Sequence, residues 1–117
     1  MVTFQKSAFF YYNRSVEKIQ FLFIEECPST EQTWNDLLDC LNILGITIQP
    51  ERIAIQDDFE AEFHCFQGSP SIKVDGVDLW KRDQAEFHMG YRSYTTPDGL
   101  SDRPTQEMLT DQLKLHL

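Results

Sequence analysis

The chain has 117 residues, 41% of them hydrophobic and 25% charged, which suits one domain with a core of its own and excludes dependence on disulfide or metal staples. Its formal net charge of -9 repels phosphate backbones and anionic lipid, and Lys81-Arg82 is followed at once by Asp83, so neither nucleic acid nor a membrane is an expected partner. No apolar run approaches the roughly 20 residues that span a bilayer, and Cys27, Cys40 and Cys65 have no zinc-like spacing, so a reducing cytoplasm is the expected location.

Residues 1–16 read as an N-terminal extension and 17–117 as the domain. The apolar stretch Ala8-Phe9-Phe10-Tyr11-Tyr12 is shorter than the core of a secretory leader and has no small-residue cleavage site, so it reads as mature chain. With Phe4 it forms an aromatic arm, which either covers the domain or pairs two copies as a homodimer, because an exposed patch of that kind invites association.

Lys18 to Ile24 is almost continuously apolar, as expected of a central strand covered on both faces. Glu25-Glu26-Cys27-Pro28 breaks it. Trp34, Leu37, Leu38, Leu41 and Leu44 then recur at helical spacing up to Gly45, which suits a left-handed C-terminal cap. Pro28 fits a first turn, and Ser29 with Gln32 spells a capping box. Ile46, Ile48, Ile53 and Ile55 predict a strand that Pro50 confines to an edge or bulge.

From Asp57, a good N-cap, Phe59, Phe63 and Phe66 repeat at i, i+4 and i+7, predicting a short second helix with a phenylalanine face, closed by Gly68. Asp75-Gly76, between Ser71–Val74 and Val77–Leu79, predicts a two-residue hairpin of type I′. The stretch 80–103 shows no sustained period and reads as a long packed loop with turn residues at Thr96-Pro97-Asp98-Gly99. Pro104 then opens a last helix with a stripe of Met108, Leu109, Gln112, Leu113 and His116. The order is βαβαββ, a loop and a terminal α. It predicts an α/β fold with a mixed four-stranded sheet flanked by helices, after an N-terminal extension.

Two segments resemble the thioredoxin-like superfamily. Phe23-Ile24-Glu25-Glu26-Cys27-Pro28-Ser29-Thr30 is a strand ending in a Cys-Pro turn into a helix. Gly68-Ser69-Pro70-Ser71-Ile72 is similar to the segment that sets a cis-proline opposite the active cysteine. The resemblance covers residues 18 to 79. Tyr91 to Leu100, followed by Pro104-Thr105, is similar to the C-terminal part of a little-characterised bacterial group of thioredoxin-like proteins, some labelled alkylmercury lyases. That group usually carries Gly-Cys-Pro at the first site and often a second cysteine later. This chain has Glu26 and Tyr91 there, and so lacks that pair.

The resemblance implies a thioredoxin-like fold and a thiol site at Cys27, opposite Ser69 and a cis Pro70. A thiolate that attacks a disulfide is left in a mixed disulfide and needs a second thiol, commonly three residues on. Thr30 stands there, so a dithiol cycle within the turn is excluded. A monothiol cycle remains, with glutathione or another external thiol as co-reactant and no resident cofactor. Helix N–H groups and the Thr30 hydroxyl favour the thiolate, while Glu25 and Glu26 oppose it.

Pro28, Ser69 and Pro70 are the candidate substrate-binding residues. The Ser69 backbone is expected to be open to an extended peptide or to a small thiol. Cys40 reads as a buried apolar side chain, and Cys65 as the better candidate for a resolving thiol. A metal set of Cys27, His64, Cys65 and His88 is disfavoured because adjacent His64 and Cys65 cannot face the same way from one helix. Three functions remain open: a monothiol disulfide oxidoreductase, a redox-inactive protein-binding module, and a soft-metal or organomercurial thiol site.

Overall fold

The computed structural model describes residues 16–83 and 86–116. The aromatic arm, and with it the expectation of a homodimer through Phe4, Phe9, Phe10, Tyr11 and Tyr12, lies outside the described residues. Strand β1 (Ile19–Phe23) is followed by helix α1 (Thr30–Ile43), β2 (Glu51–Ala54), α2 (Asp58–Phe63), and β3 (Ser71–Val74) with β4 (Val77–Asp78). Then come β5 (Tyr94–Thr96), β6 (Gly99–Ser101) and α3 (Gln106–Leu115). The main sheet is mixed and four-stranded, in the order β2-β1-β3-β4. β1 pairs parallel with β2 (Leu22 with Ile53) and antiparallel with β3 (Leu22 with Ser71).

Side chains alternate across a strand, so β1 serves two cores. Ile19, Phe21 and Phe23 face one cluster with Leu37, Leu41, Leu109 and Leu113 of α1 and α3. Leu22 and Ile24 face the other, with Ile55, Ala61, Phe66 and Cys27. The near-continuous apolar run of the sequence is thus the signature of a strand with helices on both sides.

The β2 strand begins directly after Pro50, which has no N–H for a ladder, and it stands at the sheet edge. Gly45, at φ 74, closes α1, and the N–H of Ile46 returns to the Leu41 carbonyl at 2.9 Å, the bonding of a left-handed cap. Asp75 and Gly76 both have positive φ, 51 and 85, as a type I′ turn requires. The Asp75 carboxylate also accepts the N–H of Glu17 at 3.0 Å and of Lys18 at 2.8 Å, which ties the hairpin to the entry of β1.

Two expectations are corrected. The phenylalanine face of α2 does not point inward: Phe59 and Phe63 are 78% and 74% exposed, while Ala61 is buried. The helix is only six residues long, so Phe66 lies beyond it and enters the core from the following turn. The small Ala61 is what joins the cluster with Leu22 and Ile55. Nor does Gly68 close the helix. Cys65 does, at φ 52, with its N–H on the Glu62 carbonyl at 3.1 Å and the Phe66 N–H on Ala61 at 2.8 Å.

The stretch 80–103 is not wholly loop. It contains the β5–β6 hairpin, with Tyr94 opposite Ser101 and Thr96 opposite Gly99. Each of these strands has three residues, too few to produce a visible period. No helix among the described residues is long and apolar enough to cross a membrane.

Candidate functional site

Cys27 sits in the turn between β1 and α1. Its N–H bonds to the Ile24 carbonyl at 2.9 Å, and its carbonyl accepts from Thr30 N at 3.3 Å. These two bonds turn the chain inward, so the side chain is only 7% exposed between exposed Glu26 and Pro28. It packs with Leu22, Ile24, Ile55, Ala61 and Phe66.

Ser29 is the N-cap residue of α1 but makes no side-chain capping bond, so the capping box read from the sequence is not formed. Gln32 donates to Asp36 instead, at 2.9 Å. The Ser29 hydroxyl lies 3.3 Å from the Cys27 sulfur and donates to the Asp102 carbonyl at 3.1 Å. Thr33 bonds back to the Ser29 carbonyl at 2.7 Å. A residue type suited to capping has been diverted to the thiol, a local departure of the kind found at functional sites. α2 and α3 show the ordinary arrangement, with Asp57 accepting from Glu60 N and Thr105 from Met108 N.

The second half of the site arrives from the segment before β3. The Ser69–Pro70 peptide bond is cis, and Pro70 is buried. Ser69 Oγ accepts the Ile24 N–H at 3.0 Å, which leaves its own hydrogen to donate. Burial pushes the Cys27 thiol up, but the Ser29 hydroxyl, the Ser69 hydroxyl, the Ser29 main-chain N–H and the Thr30 hydroxyl together bring it below its ordinary value. Glu25 and Glu26 are exposed and are not among the groups that shift it. Thr30 Oγ1 is buried with no hydrogen-bond partner, a donor that ionisation of the sulfur would satisfy.

The Ser69 main chain is not open. Its N–H donates to the Gly90 carbonyl at 2.8 Å, and its carbonyl accepts from Arg92 N at 3.2 Å, in a parallel bridge with Tyr91. This differs from the sequence expectation, which leaves both groups for an incoming partner. Gly68, at φ +113, allows the approach, since a Cβ there would lie 2.8 Å from Arg92 Cβ.

Arg92 and Asp78 form a buried ion pair at 3.0 Å, with side chains 1% and 5% exposed. Arg92 also donates to Ser71 Oγ at 3.0 Å and to the Trp80 carbonyl at 2.7 Å. Tyr94 donates its hydroxyl to the Pro70 carbonyl, and burial raises its phenol well above the ordinary range. Arg92, Asp78 and the Ser29 link are not legible in the sequence. Nothing local marks them, because the partners are 14 and 73 residues apart.

Cys65 is exposed and Cys27 buried, and all three cysteines are free. Cys65 opens on a cleft of about 330 Å³ with Gln67, Lys73, Val77 and Phe87, surroundings that it does not share with Cys27. Cys40 lies between α1 and α3, donating to the Gln106 carbonyl at 3.4 Å and accepting from Thr110 at 3.2 Å. Burial raises its thiol. Among the described residues no group of three or more His, Cys, Asp or Glu side chains is placed to hold a metal ion. No family model, curated protein or solved structure matches this chain.

Proposed function

We propose that the chain is a thioredoxin-like protein in which Cys27 is the single nucleophilic thiol of a thiol–disulfide oxidoreductase. The observation that carries the reading is the Ser29 hydroxyl 3.3 Å from the Cys27 sulfur at a helix entrance, in a setting where the Ser69 and Thr30 hydroxyls also favour the ionised thiol. The Thr30 hydroxyl is buried and has no hydrogen-bond partner. Hydroxyls with a hydrogen to donate favour the charged sulfur, which is the reactive species; that of Ser29 must first release the Asp102 carbonyl. A buried hydroxyl in a purely structural site would already be paired, and that of Thr30 is not.

In the proposed cycle Cys27 loses its proton to solvent, and the thiolate attacks one sulfur of a disulfide. The new Cys27–S bond forms as the substrate S–S bond breaks, and the departing thiolate takes a proton from water. An external thiol such as glutathione then attacks the mixed disulfide as its thiolate. It releases Cys27 as thiolate and carries away the first substrate half as a new disulfide. Two electrons pass from thiol to disulfide, and the protein returns unchanged. The Thr30 and Ser69 hydroxyls stabilise the thiolate once formed and again as it leaves, while Pro28 lies exposed beside it. An external thiol is needed because Thr30 stands where a resolving cysteine would, and Cys65 opens on a different cleft.

A second reading, a redox-inactive binding module, is favoured by the low exposure of Cys27, 7%. Alkylation by iodoacetamide across pH, with each cysteine assigned by mass spectrometry in wild type and Cys27→Ser, separates the two. The oxidoreductase reading expects a Cys27 pKa below the free-cysteine value of roughly 8.5, together with turnover of a Cys27 mixed disulfide by glutathione. A Cys27 that stays unmodified, or that titrates at or above the free value, overturns it in favour of the binding module.

A further inference from the structure

A strand edge with unpaired N–H and C=O groups is where an extended polypeptide is captured. Beside Cys27 that edge is the continuation of β3 towards its N-terminus, at Ser69, because β4 pairs only with Lys73 and Val74 and Leu79 N takes the Ile72 carbonyl at 3.0 Å. The edge is already filled. Ser69 N–H and C=O are bonded to Gly90 and Arg92, so a residue of the chain itself, Tyr91, stands in the register that an incoming strand would use.

The filling segment is anchored at both ends. Met89 N donates to the Asp58 carboxylate at 2.9 Å, and the Met89 side chain packs against the cluster that contains Cys27. At the other end the Arg92 guanidinium is held by Asp78, Ser71 and Trp80 in a site with side-chain exposure of 1%. Removing the segment would strip two main-chain bonds from Ser69 and leave the Asp78 carboxylate buried without its partner. An extended peptide would restore only the first two.

We infer that residues 89–92 are a built-in occupant of the strand-pairing edge at Ser69, so that the site takes a small thiol or disulfide of glutathione size and excludes extended polypeptides. The inference rests on the reactive-thiol reading for its chemistry, but the occupied edge is testable without it. A small disulfide can approach Cys27 over the exposed turn residues Glu26 and Pro28 and asks for no backbone pairing. An extended peptide must displace Gly90 and Arg92 before it can pair.

The test has two arms on the full-length chain. In the first, formation of the Cys27 mixed disulfide is timed with glutathione disulfide and with a ten-residue extended peptide disulfide carrying the same leaving thiol. The peptide is expected to react about 100-fold more slowly, the equivalent of two main-chain hydrogen bonds that it must first displace; equal rates overturn the inference. Arg92→Ala is expected to close most of that gap. Because Arg92→Ala leaves Asp78 buried and alone, Asp58→Ala serves as the second variant, freeing the exposed anchor at Met89 and closing part of the gap.

In the second arm, amide hydrogen exchange at Ser69 and Arg92 is followed in Cys27→Ser with the reduced peptide added in excess. Unchanged protection at both amides is expected. Loss of protection at Arg92 on addition of peptide overturns the occupied edge, whatever the thiol does. If Cys27 reacts with neither disulfide, the reactive-thiol reading and the choice of substrate fall together, and the exchange arm alone decides whether the edge is closed.

Discussion

The hydroxyl of Ser69 accepts the main-chain N–H of Ile24 at 3.0 Å, across 45 positions of sequence. Ile24 is the last residue before the Cys27 turn, so one bond sets the segment ahead of β3 against the end of β1. With its oxygen engaged, the serine keeps its own hydrogen free to donate, and its hydroxyl lowers the Cys27 pKa.

Ser69→Ala should therefore act twice. The Ile24 N–H is left buried without an acceptor, at a cost of about 1–3 kcal/mol, and the Cys27 pKa rises. Urea unfolding reads the first effect and the pH dependence of Cys27 alkylation the second. Ser69→Thr, which keeps the hydroxyl, should restore the thiol profile.

Ser29→Ala separates capping from thiol chemistry. Because Ser29 makes no capping bond, its loss should raise the Cys27 pKa and slow alkylation at neutral pH. The accompanying destabilisation, about 1 kcal/mol, comes from the bond to Asp102. Asp57→Ala and Thr105→Ala remove true caps and should cost about 1 kcal/mol each, with Cys27 alkylation unchanged. Parallel denaturant and alkylation series on the three variants check the contrast.

The Asp78–Arg92 pair is buried on both sides, so Asp78→Ala should destabilise by about 3–5 kcal/mol through the guanidinium left unpaired. Removal of both charges, as Asp78→Leu with Arg92→Met, should cost clearly less than the sum of the single changes. A double-mutant cycle in urea measures the coupling.

Cys65 occupies the left-handed position that ends α2, at φ 52. A β-carbon there costs roughly 1–2 kcal/mol, which glycine avoids, less its larger loss of chain freedom on folding. Cys65→Gly should raise stability by about 0.5–1 kcal/mol, and thermal unfolding monitored by circular dichroism would show it. Alkylation of Cys27 should be unchanged.

The stability of the fold should depend on pH through Cys27 and Tyr94 in opposite senses. Cys27 ionises more readily folded than unfolded. Its contribution is therefore fully present above the unfolded value of roughly 8.5 and is lost as pH falls through the folded value. Tyr94 is held neutral by burial; its contribution is present below an unfolded value of about 10 and is lost as pH rises beyond it. Unfolding free energies against pH should show wild type gaining on Cys27→Ser towards pH 8.5. The alkaline decline should flatten in Tyr94→Phe.

Much of the secondary structure was legible because its signals are local. The run Lys18–Ile24 marks a strand covered on both faces, Gly45 a left-handed cap, Asp75-Gly76 a mirror-image turn, and Pro50 an edge position, although the strand expected from Ile46 begins only at Glu51. Local signals failed where two placements satisfy the same spacing. Phe59 and Phe63 lie four apart, as a buried face would, yet in a helix of six residues the sheet accepts Ala61. Ser29 and Gln32 spell a capping box, yet the serine is drawn to a sulfur and to a carbonyl 73 residues away.

By itself, then, the amino-acid order determined where the chain turns, which stretches carry a repeating apolar face, and that Cys27 stands at the entrance of a helix with Thr30 where a second thiol would be. Only the tertiary structure decided that the Ser29 hydroxyl lies at that sulfur, that Ser69 is bonded to Ile24 beside it, that Arg92 finds Asp78, and that Gly90 and Arg92 claim the main chain of Ser69. The division has a physical cause. Turns and periodic faces depend on the conformational preferences of a few neighbouring residues, whereas hydrogen-bond partners of buried polar groups depend on which distant segments the packing of the two cores brings within 3 Å or so.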